Sequence, residues 1–137
     1  TVRIPLSIIL GEAPIIAGER EKHDGAIKVN QISKALDVYQ NVANDFGVRL
    51  LLPLRHVAEG ARITDILGFE WHAGREQLGC VLSGNYRRLD GSIETTAQQV
   101  QTYLAEFAEP CAKRIIESYV AGDIPDHLEI ARQTLNR

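Results

Sequence analysis

No methionine occurs anywhere in the 137 residues, not even at the first position, so the N-terminus is expected to be processed or trimmed. Cysteine is nearly as scarce. Cys80 and Cys111 lie far apart in apolar stretches, which reads as two buried free thiols in a reducing cytoplasm rather than a disulfide framework. Trp71 is the lone tryptophan and reads as an anchor in a core or an interface. No apolar run reaches the length of a spanning helix, and the short one within residues 1–10 lacks a signal-type cleavage site, so no membrane partner is expected. A basic excess is missing as well. The net charge of −3 disfavours nucleic acid as a partner for the whole surface and leaves room only for a local basic patch.

The short motifs that carry chemistry are absent too. Neither G-x-G-x-x-G nor a P-loop occurs, which counts against a nucleotide-binding enzyme, and H-E-x-x-H is missing. Ser83-Gly84 lacks the leading glycine spacing of a nucleophile elbow, and Cys80 between Gly79 and Val81 reads as packing. There is no internal repeat, low-complexity tract or long linker. What remains is 45% hydrophobic and 24% charged, the balance of a soluble globular chain long enough to bury a core, and a single domain over 1–137 is expected.

The strongest pattern runs from Ser92 to Gly122. Val100, Tyr103, Leu104, Phe107, Cys111, Ile115 and Tyr119 recur at steps of three and four, one side of a helix. Thr95 or Thr96 can open it with a capping box, through Gln98 or Gln99, and Gly122 can end it. Pro110 is expected to break or sharply kink it at Glu109–Pro110. Asp123 is then expected to cap a last short helix, with Pro125 in its first turn and an apolar face of Leu128, Ala131 and Leu135.

Earlier in the chain, Val2–Leu10 alternates loosely and is rich in β-branched residues, which predicts a strand, at an edge or bulged because of Pro5. Ile15–Ala17 is a brief apolar triplet, and Gly18–Gly25 is a polar loop. Asn30 reads as the N-cap of an amphipathic helix through Ile32, Ala35, Leu36, Tyr39, Val42, Ala43 and Phe46, closed by Gly47. Val48–Leu52 follows as a buried strand. Strand, helix, strand in that order closes as a βαβ crossover with parallel strands. Val57–Leu67 has helical spacing up to Gly68, Phe69–His72 fits a short strand, and 78–82 fits strand or helix. The fold expected is α/β or α+β: a small mixed sheet with an N-terminal βαβ unit and a helical C-terminal third.

In such a sheet the carboxyl ends of strands 1 and 2 open on one edge, where open α/β sheets place ligands. Glu12, His23 and Asp24 after the first strand, with Arg55 and His56 after the second, are the candidate ligand-binding residues. They supply carboxylates, imidazoles and a guanidinium suited to acid–base work or to an anion. His72 and Glu76 share a helical spacing but lack the third ligand zinc needs, so no metal and no cofactor is expected. Residues 61–88 can be read as a helix-turn-helix with Arg75, Gln77, Asn85, Arg87 and Arg88 facing DNA, against the acidic whole.

Function is expected to be that of a small cytoplasmic interaction or assembly protein without catalytic activity of its own, its partner another protein or further copies of itself. The alternatives are a small-molecule-binding protein or enzyme using the strand-end site, and DNA binding through 61–88.

Overall fold

The computed structural model describes residues 2–23, 28–69, 90, 92 and 94–136. Asp24, the 78–82 segment and the second half of the expected helix-turn-helix lie outside the described residues, as does all but the first residue of the strand expected at Phe69–His72.

The largest departure from expectation is at the start. Arg3–Ile9 forms a helix, α1, not a strand. Apolar residues at 2, 4, 6 and 8 fit a strand, but Ile4 and Ile8 are also one helical turn apart. Ile4 is buried against Val42, Ala43, Val48 and Ile116, with Ile8 packed beside it. Leu6 and Ile9 stand exposed. A strand would have put Leu6 on the same side as Ile4 and Ile8, whereas the helix turns it away. Pro5 falls in the first turn, where its missing N–H would have had no intrahelical acceptor.

The first strand is instead β1, Ile15–Ile16, which pairs in parallel with β2, Leu50–Leu51. Ile15 lies opposite Leu50, and Ile16 opposite Leu51. Between the strands come a 3-10 turn at Val29–Gln31 and helix α2, Ser33–Asp45. The βαβ order therefore holds with its first strand moved down the chain. Among the described residues, helices around a two-stranded parallel sheet make this a small α+β fold.

Helix α2 is central to both hydrophobic clusters. Val42 and Ala43 join Ile4, Val48 and Ile116, while Ala35 meets Val100 and Leu104. Asn30 does not cap it. That residue lies in the 3-10 turn, its carbonyl accepting the Tyr39 hydroxyl at 3.0 Å, and extended Ile32 precedes the helix without a side-chain cap. Gly47 closes the helix at φ 73°, a conformation in which a Cβ is strained.

Helix α3, Gly60–Leu67, starts later than the spacing from Val57 suggested and contains no buried residue. Thr96 opens the C-terminal helices through the capping box with Gln99. Helix α4, Ala97–Tyr103, passes into a π-helical turn at Leu104–Ala108 and then into α5, Glu109–Val120. The chain does not break at Pro110, because the backbone stays right-handed helical at Tyr103, Leu104, Ala108 and Glu109. A proline at 110 cannot donate to the Glu106 carbonyl and would crowd it. The wider π turn just upstream opens that space.

This turn also moves the buried line. Leu104 and Val100 are buried with Ala108 beside them, and the next fully buried side chain is Ile116. Cys111, Ile115 and Tyr119, expected on the seam, are only half-buried, and Tyr103 is exposed. Lys113 ties α5 to α2, reaching Asp45 and Glu109 at 2.7 Å each.

The last helix, α6, spans His127–Leu135 and is capped by Asp126, not Asp123; its carboxylate accepts the Glu129 N–H at 2.9 Å. It buries Ile130 and Thr134, and the expected Leu128 and Leu135 point outward. No described helix is long and apolar enough to cross a membrane.

Candidate functional site

Arg55 follows β2 by four residues and gathers three parts of the chain. Its Nε donates to Glu21 Oε1 at 2.6 Å, and Nη1 donates to Gln40 Oε1 at 2.7 Å. Nη2 reaches Asp37 Oδ1 at 2.6 Å, with Ser33 Oγ at 3.2 Å and the Ser33 carbonyl at 3.3 Å. The Glu21 N–H returns a bond to the Arg55 carbonyl at 2.9 Å. Ser33, Asp37 and Gln40 stand at steps of four and three on α2, so helical geometry lines them up on one face. The loop after β1, the loop after β2 and the crossover helix are thereby clasped at one guanidinium.

Gln40 extends the clasp to the sheet, donating from Nε2 to the Leu50 carbonyl at 3.1 Å. Ile15 and Ala17 donate to the carbonyls of Arg49 and Leu51, so the Leu50 carbonyl between them faces away from β1. Gln40 thus covers the outer edge of β2.

The Arg55 side chain is only 15% exposed. The hydrogen bond from Arg55 holds the Glu21 carboxyl below its ordinary range, with the Ser33 hydroxyl adding to the effect. Asp37 first and then Glu21 hold the Arg55 guanidinium above its own. A guanidinium has five N–H donors in a fixed fork. Here all three of its nitrogens already donate, to carboxylate, amide, hydroxyl and carbonyl oxygens, so Arg55 acts as a structural clasp rather than a vacant anion receptor.

Of the candidates drawn from the sequence, Arg55 and His56 are brought together through Glu21, whose Oε2 is 3.8 Å from His56 Nδ1. His56 itself is 82% exposed. Glu12 does not join them. It lies exposed in the turn between α1 and β1 at φ 61°, before the strand rather than after it, because the first strand is Ile15–Ile16 and not Val2–Leu10. His23 is buried two residues beyond Glu21, its Nε2 without a hydrogen-bond partner. Burial holds its pKa down, helped by the charges of Lys28 and Arg20. Glu21, Ser33, Asp37 and Gln40 were missed as site residues. The polar stripe at 33, 37 and 40 was their only signal. Among the described residues no group of three or more His, Cys, Asp or Glu could hold a metal ion, and His72 and Glu76 lie outside them.

The His23 and Glu21 shifts share one sign. His23 and Glu21 both bind protons more weakly folded than unfolded, so protonation favours the unfolded chain. Stability should be full above pH 6.5 and fall in two acid stages. The first begins near His23's ordinary value of 6.5, the second near Glu21's ordinary 4.5, each ending once the folded pKa is passed. Urea unfolding across this range checks it: His23→Gln should remove the first stage and Arg55→Ala should flatten the second. A stability that rises on acidification through pH 6.5 would contradict the His23 assignment, and one that rises through pH 4.5 the Glu21 assignment.

No family description matches the chain, and no solved structure matches it significantly. It is 39% identical over 134 residues, 98% of its length, to the uncharacterized protein MJ0009 of Methanocaldococcus jannaschii. The match covers 48% of that protein, so the chain spans about half the length of the relative it matches.

Proposed function

We propose that this chain is an interaction and assembly module of the cytoplasm, without catalytic activity of its own, whose sheet is completed by another polypeptide. The observation that carries this reading is that, among the described residues, the sheet has two strands and one bare face. Parallel strands are ordinarily covered on both faces, and two strands alone are marginal in water. One face is covered, with Ile15 and Leu50 packed against the cluster of α1, α2 and α5. On the other, Ile16 is 69% and Leu51 40% exposed.

The edges differ as well. Gln40 covers that of β2 at Leu50. On β1 the register turns the Ile16 N–H and carbonyl away from β2, and neither has a hydrogen-bond partner among the described residues. An edge without a partner among the described residues, beside an apolar face, suits an added extended segment, its backbone bonding to Ile16 and its apolar side chains lying on Ile16 and Leu51. The longer relative supports a polypeptide in this place, since it carries more chain outside the match than within it. The free Cys111 suits a reducing compartment.

Sedimentation velocity from micromolar to near-millimolar concentration, with and without the unmatched part of the archaeal relative made as a separate chain, tests the proposal. Association that Ile16→Lys abolishes without unfolding the protein is the expected result. A strict monomer throughout, which also fails to bind the added chain, would sink it.

A further inference from the structure

The N–H groups of Ile15 and Ala17 bond to β2, so strand alternation turns the backbone groups of Pro14, Ile16 and Gly18 to the opposite edge of β1. Exposure follows the same alternation: Pro14, Ile16 and Gly18 are exposed, whereas Ala13, Ile15, Ala17 and Glu19 are half-buried. Extended backbone therefore continues past β1 on both sides. Neither the Ile16 N–H nor the Gly18 N–H has a hydrogen-bond partner among the described residues, and Pro14 has no N–H to offer. Read outward from Ile16, this edge complements itself.

We propose that it pairs with the same edge of a second copy, across a two-fold axis at Ile16. The inference rests on the assembly reading above and names its partner. A two-fold axis normal to the sheet makes the two β1 strands antiparallel and sets Ile16 opposite Ile16 of the second copy, each N–H bonding to the other's carbonyl. Pro14 then lies opposite Gly18 of the second copy, and its carbonyl accepts that glycine's N–H. The donor proline lacks is missed only at the two ends of the ladder. Glu12 and Arg20 stand four residues to either side of Ile16, so the same axis brings opposite charges together at both ends. The two exposed isoleucines come side by side on the bare face, flanked by Leu51 of each copy. Growth stops at two copies, because the outer edges of the four-stranded sheet are then those of β2, each covered by Gln40 at Leu50.

So short a ladder makes a weak pair, and chemical trapping reads it. Single cysteines are introduced into the whole chain carrying Cys80→Ser and Cys111→Ser, and a two-carbon bis-thiosulfonate reagent is added at near-millimolar protein. Ile16→Cys should link to itself, since residues bonded across an antiparallel ladder lie about 5.5 Å apart. Pro14→Cys and Gly18→Cys should link to each other in a mixture but not to themselves, each being about 14 Å from its own counterpart. Gly18 accepts the change, because a Cβ there meets nothing within 4 Å. Leu51→Cys, exposed on the same face, should stay unlinked, its counterpart lying three strand spacings away, about 14 Å. Pro14→Cys linking to itself as readily as to Gly18→Cys, Leu51→Cys linking as fast as Ile16→Cys, or no link at any position would overturn the inference. A chain that links nowhere yet binds the unmatched part of the archaeal relative would overturn it too, while leaving the assembly reading standing.

Discussion

Arg55→Ala should destabilise the protein by about 2–3 kcal/mol, between the cost of losing an exposed ion pair and that of breaking a fully buried one, because its pairs are partly buried. The substitution removes the partner that Glu21 and Asp37 share and leaves two carboxylates near one another. It also frees the loops after β1 and β2 from α2, since Gln40, Asp37 and Ser33 all lose the same group. Glu21 carries the larger share of the penalty because its side chain is 21% exposed, whereas that of Asp37 is 44% exposed and stays hydrated. Arg55→Lys should recover only a minor part, because a single ammonium cannot reach acceptors spread over three elements. Urea unfolding at neutral pH reads the effect as a lower midpoint at unchanged slope. A loss below about 1 kcal/mol would mean the clasp behaves like an ordinary surface ion pair.

Ile116→Ala should cost somewhat more, roughly 3–4 kcal/mol within the 2–5 measured for large-to-alanine changes in cores. Ile116 is fully buried where α1, α2 and α5 meet, in one cluster with Ile4, Val42, Ala43 and Val48. No single element can collapse into the space without dragging another. The informative control is its neighbour. Ile115 is only half-buried, so Ile115→Ala should lose clearly less. The pair reports the register set by the π turn: an uninterrupted α-helix carrying the seam through Cys111 and Ile115 would reverse the order. Equal losses from the two variants would contradict the buried position of Ile116.

The same register shows how far the sequence reaches. The apolar steps through Val100 and Leu104 identified the helix and its inward side, and its start was narrowed to Thr95 or Thr96, of which the structure uses Thr96 with Gln99. Pro110 marked the irregularity. What it could not reveal was the form. Clash with the Glu106 carbonyl can be relieved by a break or by a wider turn, and the packing of Leu104 and Ala108 on α2 selects the second.

The candidate site was legible in part. Arg55 and His56 stood out because they follow an apolar strand. Glu21 looked like one charge among many in a polar loop, and the partners on α2 looked like an ordinary solvated face. Only chain reversal around the βαβ unit brings charges 34 and 18 residues away onto the guanidinium.

By itself, then, the sequence determined what depends on neighbours along the chain: the amphipathic α2 closed by Gly47, the run of C-terminal helices, the parallel βαβ order, and the apolar segment that becomes β2. Tertiary structure alone decided what local pattern leaves degenerate. Residues 2–9 satisfy both a period of two and a period near four, and α1 wins because a helix brings Ile4 and Ile8 onto Val42, Ala43 and Ile116 while turning Leu6 away. The strand role then falls to Ile15–Ile16, too short to announce itself, because Leu50–Leu51 offers it a parallel ladder. Periodicity records which side of an element is apolar; which partner buries that side, and hence which element forms, is settled only by distant residues.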